Sequence, residues 1–283
     1  MFESVKFTCR DGYTLHGRFY AKQKDAGFLP VVIGSATGIL QGFYQSFATW
    51  LCEQGYDVLT FDFRGIGESL YTDVSKFDAR IQDWGVYDLP AAIDYLLQKS
   101  SAEHVLLLGH SAGGQLLGLV ENFAKVKKVV AIAGSSGNVK GLSGKTKILG
   151  PIMFHVIFPI SSFFKGYAAT KMLGMGENLP KGVGSQWREF CSSPGYAINA
   201  VGKTVQQDYH QDIRCPIIAI HATDDEIATE HNVKDFLRIY PHAQTRFITL
   251  KPQDYQHKVI GHMLMFRPSH KNLWPLIEAE LHG

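Results

Sequence analysis

The chain has 283 residues and a net charge of +2, long enough for one large core and without the basic excess that a nucleic-acid backbone would demand. Cys9, Cys52, Cys191 and Cys215 are scattered, with no C-x-x-C pair and no His/Cys cluster at ligand spacing. That pattern excludes a disulfide scaffold and a zinc site, and it reads as free thiols in a reducing compartment. The opening stretch MFESVKFTCRDG has no basic region followed by an apolar run, so a cytoplasmic location is the expectation.

In chain order, residues 5–8 and 14–20 flank Arg10-Asp11-Gly12 and predict an antiparallel hairpin at one sheet edge. A strand at 31–33 runs into Ser35-Ala36-Thr37-Gly38. Apolar positions at helical spacing over 43–53 stop at Gly55, a C-terminal cap. The strand 57–61 leads into Asp62-Phe63-Arg64-Gly65-Ile66-Gly67-Glu68-Ser69, and 83–97 reads as an amphipathic helix. Residues 105–108 form an apolar run typical of a strand buried on both faces, followed by Gly109-His110-Ser111-Ala112-Gly113 and a helix over 115–120. A further buried strand covers 128–133. Strands and helices alternate to this point, which implies a mostly parallel sheet with helices on both faces.

The alternation then breaks. Residues 138–207 are rich in Gly, Lys and aromatics and read as a lid or cap insertion; 1–137 and 208–283 form the core. The apolar centre at 148–164 approaches the length of a membrane span, but Pro151, His155 and Pro159 interrupt it. A lid helix lining an apolar pocket is the reading, with peripheral membrane contact through 148–164 as the alternative. Alternation resumes with a strand at 216–221, a helix at 232–239, a strand at 245–250 and a final helix at 272–281.

Strand, tight glycine turn and helix with a serine at the tip is the context of a G-x-S-x-G nucleophile elbow, in which the serine is strained and its neighbours must lack a β-carbon. A serine hydroxyl needs a base to take its proton, and the base needs an acid to hold its tautomer. In chain order the acid should follow the strand 216–221, where Asp224, Asp225 and Glu226 stand in a row. Asp225 is the candidate and Asp224 the alternative. The histidine should follow the last strand. His262, after Gly261, is preferred to His257; His270 reads as solvated, and His242 comes too early. An oxyanion hole would take one N–H from Ala112 and a second from the loop Ser35 to Gly38.

With these motifs the chain resembles α/β-hydrolase-fold serine hydrolases of the broad lipase, esterase and serine aminopeptidase (S33-like) group, nearest to a branch of predicted bacterial α/β hydrolases. Four stretches carry the likeness: Ser35 to Gly38, the D-x-R-G-x-G-x-S run from Asp62 to Ser69, Gly109 to Gly114, and Gly261-His262. The resemblance implies Ser111 as nucleophile, Asp225 as acid and His262 as base. Where the group usually has His-Gly in the oxyanion loop, this chain has Ser35-Ala36, so Thr37 inherits the second donor role, with Ala36 as the alternative.

The implied reaction is hydrolysis of a carboxylic ester, thioester or amide through an acyl-serine, with no metal or cofactor. Membership of the group also admits aminopeptidase-type cleavage. A catalytically silent fold that binds a ligand or partner is the competing reading. A dinucleotide site at Arg64-Gly65-Ile66-Gly67 lacks its third glycine, since Leu70 stands there. Phe154, Ile157, Phe158, Phe163, Phe164 and Trp187 point to a small-molecule substrate with an apolar acyl or aromatic group.

Overall fold

The structure is a computed structural model that describes residues 1–282. Gly283, the last residue of the expected core, lies outside the described residues. The main sheet has eight strands: β1 (Glu3–Thr8), β2 (Thr14–Tyr20), β3 (Val31–Gly34), β4 (Val58–Phe61), β5 (Val105–His110), β6 (Val126–Ile132), and, after a small hairpin of β7 (Tyr167–Ala168) and β8 (Leu179–Pro180), β9 (Ile217–Ala222) and β10 (Thr245–Leu250). Their order across the sheet is β1-β2-β4-β3-β5-β6-β9-β10. β2 pairs antiparallel with both β1 and β4, and the pairs from β4 through to β10 are parallel.

The central strands are apolar throughout because both faces are covered. Along β3, Val32 enters one core while Val31 and Ile33 enter the other; along β5, Val105 and Leu107 part from Leu106 and Leu108 in the same way. One face packs against the helix Leu89–Ser100 through Leu89, Ile93 and Leu96. The other packs against the helix Gln45–Gln54 (Phe47, Leu51) and the C-terminal helix Trp274–His282 (Trp274, Ile277). Gly55 closes the first of these helices with φ +117°, its N–H donating to the carbonyls of Leu51 and Cys52.

Three expectations from the sequence need correction. The helix after the glycine turn occupies Ala112–Gln115 and then tightens into a 3-10 turn at Leu117–Leu119, rather than running over 115–120. The prolines of 148–164 do not interrupt that segment; Thr146–Lys165 is one continuous helix. His270 is buried instead of solvated, with Nε2 2.8 Å from the Val259 carbonyl.

The uninterrupted helix has a physical explanation. A helical proline lacks the N–H that would reach the carbonyl four residues back, and its ring crowds that carbonyl. In Thr146–Lys165 a π turn at Met153–Ile157 precedes Pro159, with the Phe158 N–H donating to the Met153 carbonyl. The same arrangement occurs at Trp84–Asp88 before Pro90, where Leu89 donates to Trp84. In both places the helix widens by one residue two positions before the proline and passes it without breaking.

Candidate active site

β3 and β5 are neighbours and pair Gly34 with Gly109, so the loops leaving their carboxyl ends emerge side by side. Ligands of open parallel sheets collect at that edge, where the strand order reverses. Ser111 sits at the tip of the β5 loop with φ +48° and ψ −119°, a conformation of order 1–3 kcal/mol above the ordinary wells. Its N–H donates to the Ile132 carbonyl at 2.8 Å, which fixes the strained residue to β6. The glycines around it are required by contact. A β-carbon on Gly113 would strike the backbone of Gly34, and one on Gly109 would strike that of Gly114.

β9 and β10 bring the acid and the histidine to the same edge. Asp225 is buried; its Oδ2 lies 2.8 Å from His262 Nδ1, and its Oδ1 accepts the N–H groups of Ile227 and Ala228, both at 2.8 Å. Burial alone would raise this carboxyl, but the His262 ring and the two N–H groups outweigh it, and the net shift is downward. A carboxylate at Nδ1 leaves Nε2 of His262 as the free lone pair. Among the described residues no side-chain hydrogen bond joins Ser111 to His262; the two line one cavity of about 370 Å³.

The neighbouring acids do other work. Asp224 accepts the N–H groups of Ile260 at 2.9 Å and Gly261 at 3.0 Å, so it holds the backbone of the His262 loop. Glu226 accepts the N–H (2.8 Å) and hydroxyl (2.7 Å) of Thr146 at the start of the helix Thr146–Lys165. His257 pairs with Asn272 Oδ1 at 2.8 Å, away from the cavity lining, and stacks on His270.

The loop after β3 is fixed from several sides. The Ala36 N–H donates to the Tyr44 hydroxyl at 2.9 Å, so it is already engaged. Among the described residues the N–H groups of Thr37 and Ala112 have no such partner. The Tyr44 hydroxyl is also 2.8 Å from His110 Nδ1, and His110 Nε2 is 2.8 Å from the carbonyl of His262. Burial, with the nearby His262 ring, pushes His110 down to about 3, so this ring is neutral. Tyr44 must therefore donate to Nδ1, and Nε2–H donates to His262. The result is a buried relay from the loop after β3, through the residue before Ser111, to the backbone of His262. The sequence reading assigned no role to Tyr44 or His110; the one signal was that His110 stands next to Ser111 in the glycine turn.

The run from Asp62 to Ser69 is a structural fastening. Asp62 accepts the N–H groups of Gln41 (2.7 Å) and Glu68 (3.0 Å). Arg64 lies between Asp88 (Nε–Oδ1 2.6 Å) and Asp11 (2.6 and 3.2 Å). Burial drives the Asp88 carboxyl up to about 6 against the pull of Arg64. With Arg64 thus occupied, the run serves the fold and offers no phosphate cradle.

The far side of the cavity is apolar. Leu149, Met153, Phe154, Ile157, Trp187 and Tyr196 line it opposite Ser111 and His262. Phe158 is buried in the core beneath, and Phe163 and Phe164 are exposed on the outer face of their helix, so these three are not lining residues. Among the described residues no group of three or more His, Cys, Asp or Glu side chains is placed to hold a metal ion.

The family model described as serine aminopeptidase, S33 matches residues 31–156, from β3 past the glycine turn and into the helix Thr146–Lys165. The whole described chain superposes on an esterase of Pyrococcus furiosus with a TM-score of 0.62 at 17% identity, covering 100% of this chain and 92% of that one. The chain has the α/β-hydrolase fold. An uncharacterised protein, YfhR, of Salmonella typhi is 30% identical over 118 residues, 40% of this chain and 38% of that protein. The gastric triacylglycerol lipase of Bos taurus is 28% identical over 199 residues, 61% of this chain and 50% of the lipase. The chain thus spans half or less of the length of these curated relatives, while the α/β-hydrolase architecture extends over all of it.

Proposed function

We propose that this chain belongs to the α/β-hydrolase superfamily and is a serine hydrolase that cleaves a carboxylic ester through an acyl-serine. The observation that carries the reading is the buried His262–Asp225 pair at 2.8 Å, opening on the same cavity as a serine held at φ +48°. Ser111 Oγ attacks the carbonyl carbon as His262 Nε2 takes its proton, and Asp225 holds Nδ1–H and stabilises the imidazolium. The oxyanion of the tetrahedral intermediate meets the N–H groups of Ala112 and Thr37, each worth about 2.7–4 kcal/mol at the transition state. Collapse expels the alcohol with the proton from His262. Water, activated by the same ring, then releases the acid and restores Ser111. Apo geometry looser than a hydrogen bond between serine and base is common and tightens with substrate bound.

Segment 138–207 acts as the lid in this reading, and its inner side chains select the acyl group. Leu149, Met153, Phe154 and Ile157 favour an apolar chain, which agrees with the likeness to a triacylglycerol lipase. Labelling with a fluorophosphonate tests the assignment. Folded protein should label, and Ser111→Ala should not. Folded wild-type protein that stays unlabelled while a known serine hydrolase labels would leave the silent, ligand-binding reading in its place. A panel of p-nitrophenyl esters should show faster turnover of medium-chain than acetyl substrates. A flat or reversed profile would remove the apolar acyl pocket.

A further inference from the structure

The helix Thr146–Lys165 has two apolar faces. Its inner face lines the cavity and enters the core; its outer face is exposed and equally apolar. Ile148, Ile152, Val156, Ile160 and Phe164 recur every fourth residue and are all exposed, with Phe163 beside the last of them. The two phenylalanines are 83% and 78% exposed. A strict spacing of four would drift around a 3.6-residue helix, and the additional residue of the π turn Met153–Ile157 takes up much of that drift. The residues therefore form one stripe along five turns. A contiguous apolar surface of this kind marks an interaction site.

Charge identifies the partner. Segment 138–207 holds eight lysines and arginines against two acidic residues, Glu177 and Glu189, whereas the rest of the chain holds 20 basic and 24 acidic side chains. Lys145 and Lys147 stand exposed at one end of the stripe and Lys165 at the other, with Lys171 just beyond it. We propose that this face docks on an anionic lipid bilayer, the apolar stripe entering the interface and the lysines meeting the headgroups. A second copy of the chain would bring like charge against like charge, which disfavours self-association through this face. The helix lies on the bilayer and does not cross it, because Met153, Phe154 and Phe158 are buried in the protein core on its other side. Leu149 and Ile152 belong to both surfaces: each is exposed, and each lines the cavity of Ser111 and His262. The cavity mouth therefore opens at the level of the stripe. Docking rests on exposed residues alone and does not depend on the hydrolytic reading.

Sedimentation of the full chain with extruded vesicles tests this, comparing phosphatidylcholine alone with equimolar phosphatidylcholine and phosphatidylglycerol. The protein should pellet with the anionic vesicles, less as salt is added, and should stay in solution with the neutral ones. Phe163→Ser with Phe164→Ser should weaken the anionic binding roughly tenfold or more, since two exposed aromatic side chains lose their burial. Lys145→Glu with Lys147→Glu should weaken it by a similar factor and lessen the salt dependence. Thermal midpoints unchanged from wild type would show that these exposed substitutions leave the fold alone. Failure to bind anionic vesicles at low salt would overturn the proposal, as would undiminished binding by the double phenylalanine variant. Sedimentation velocity showing a dimer that the phenylalanine substitutions dissolve would replace the bilayer with a second copy.

Discussion

Below the cavity, Ser111, His262 and Asp225 stand on backbone fixed by buried hydrogen bonds and glycine-to-glycine contact. Above it, the helix Thr146–Lys165 sends Met153 and Phe154 inward and leaves Phe163 and Phe164 in solvent. The floor is specified atom by atom through polar geometry, so a small change there leaves some group unpaired. The roof is specified by shape and hydrophobicity, so most changes there only alter what it will touch. On the proposed function, one region would orient a reaction and the other would select what reaches it.

Substitutions of graded severity put that contrast to the test. Asp225→Asn should cost the most, roughly 10⁴-fold in kcat, because the wrong His262 tautomer is then favoured. Asp224→Asn loosens only the Ile260–Gly261 backbone and should cost at most about 10²-fold. Steady-state ester hydrolysis on the two variants separates them, and equal losses would mean that the two carboxylates share one task. Arg64→Met comes next. It strips Asp88 of its partner inside the protein and should lower unfolding stability by about 3–5 kcal/mol in urea titration.

Tyr44→Phe leaves the Ala36 N–H and His110 Nδ1 without their partner and should cost about 1–3 kcal/mol, with kcat falling more than KM rises. His110 adds a pH signature. Its folded value of about 3 lies below the ordinary 6.5, so between those limits the unfolded chain binds the extra proton. Stability from this group is intact above about 6.5 and declines as pH falls toward 3, by up to about 1.4 kcal/mol per unit. The raised Asp88 carboxyl acts in the opposite sense between about 6 and 3.8, but it is common to both proteins when wild type is compared with His110→Asn. The stability gap between them should therefore narrow from pH 7 to pH 4 in paired thermal melts. The smallest effect belongs to the roof: Phe163→Ser with Phe164→Ser should change stability by no more than about 0.5 kcal/mol.

Much of the floor was legible in the sequence because its signals are local. Apolar runs such as Val105 to Leu108 declare a strand covered on both faces, and chain order alone put Asp225 and His262 after late strands. Choosing among three adjacent acids needed the family pattern as well as position. What stayed hidden depends on contacts between distant residues. Tyr44 reads as one more apolar position in a helical stretch until His110, 66 residues away, comes within reach of its hydroxyl. His270 looked like a solvated residue beside Lys271, yet folding carries it under Val259. The π turns escaped because a proline in a helical pattern ordinarily signals a break, and a one-residue widening leaves no mark in composition.

Asp224, Asp225 and Glu226 face, in turn, the backbone of the His262 loop, the ring of that histidine and the first residue of the roof helix. Three consecutive side chains thus serve three separate clients, and which residue serves which is set purely by counting along the loop. A single insertion or deletion between β9 and Ala228 would misassign all of them together. This loop should accept exchanges of side chain, Glu226 most readily, while its length stays invariant.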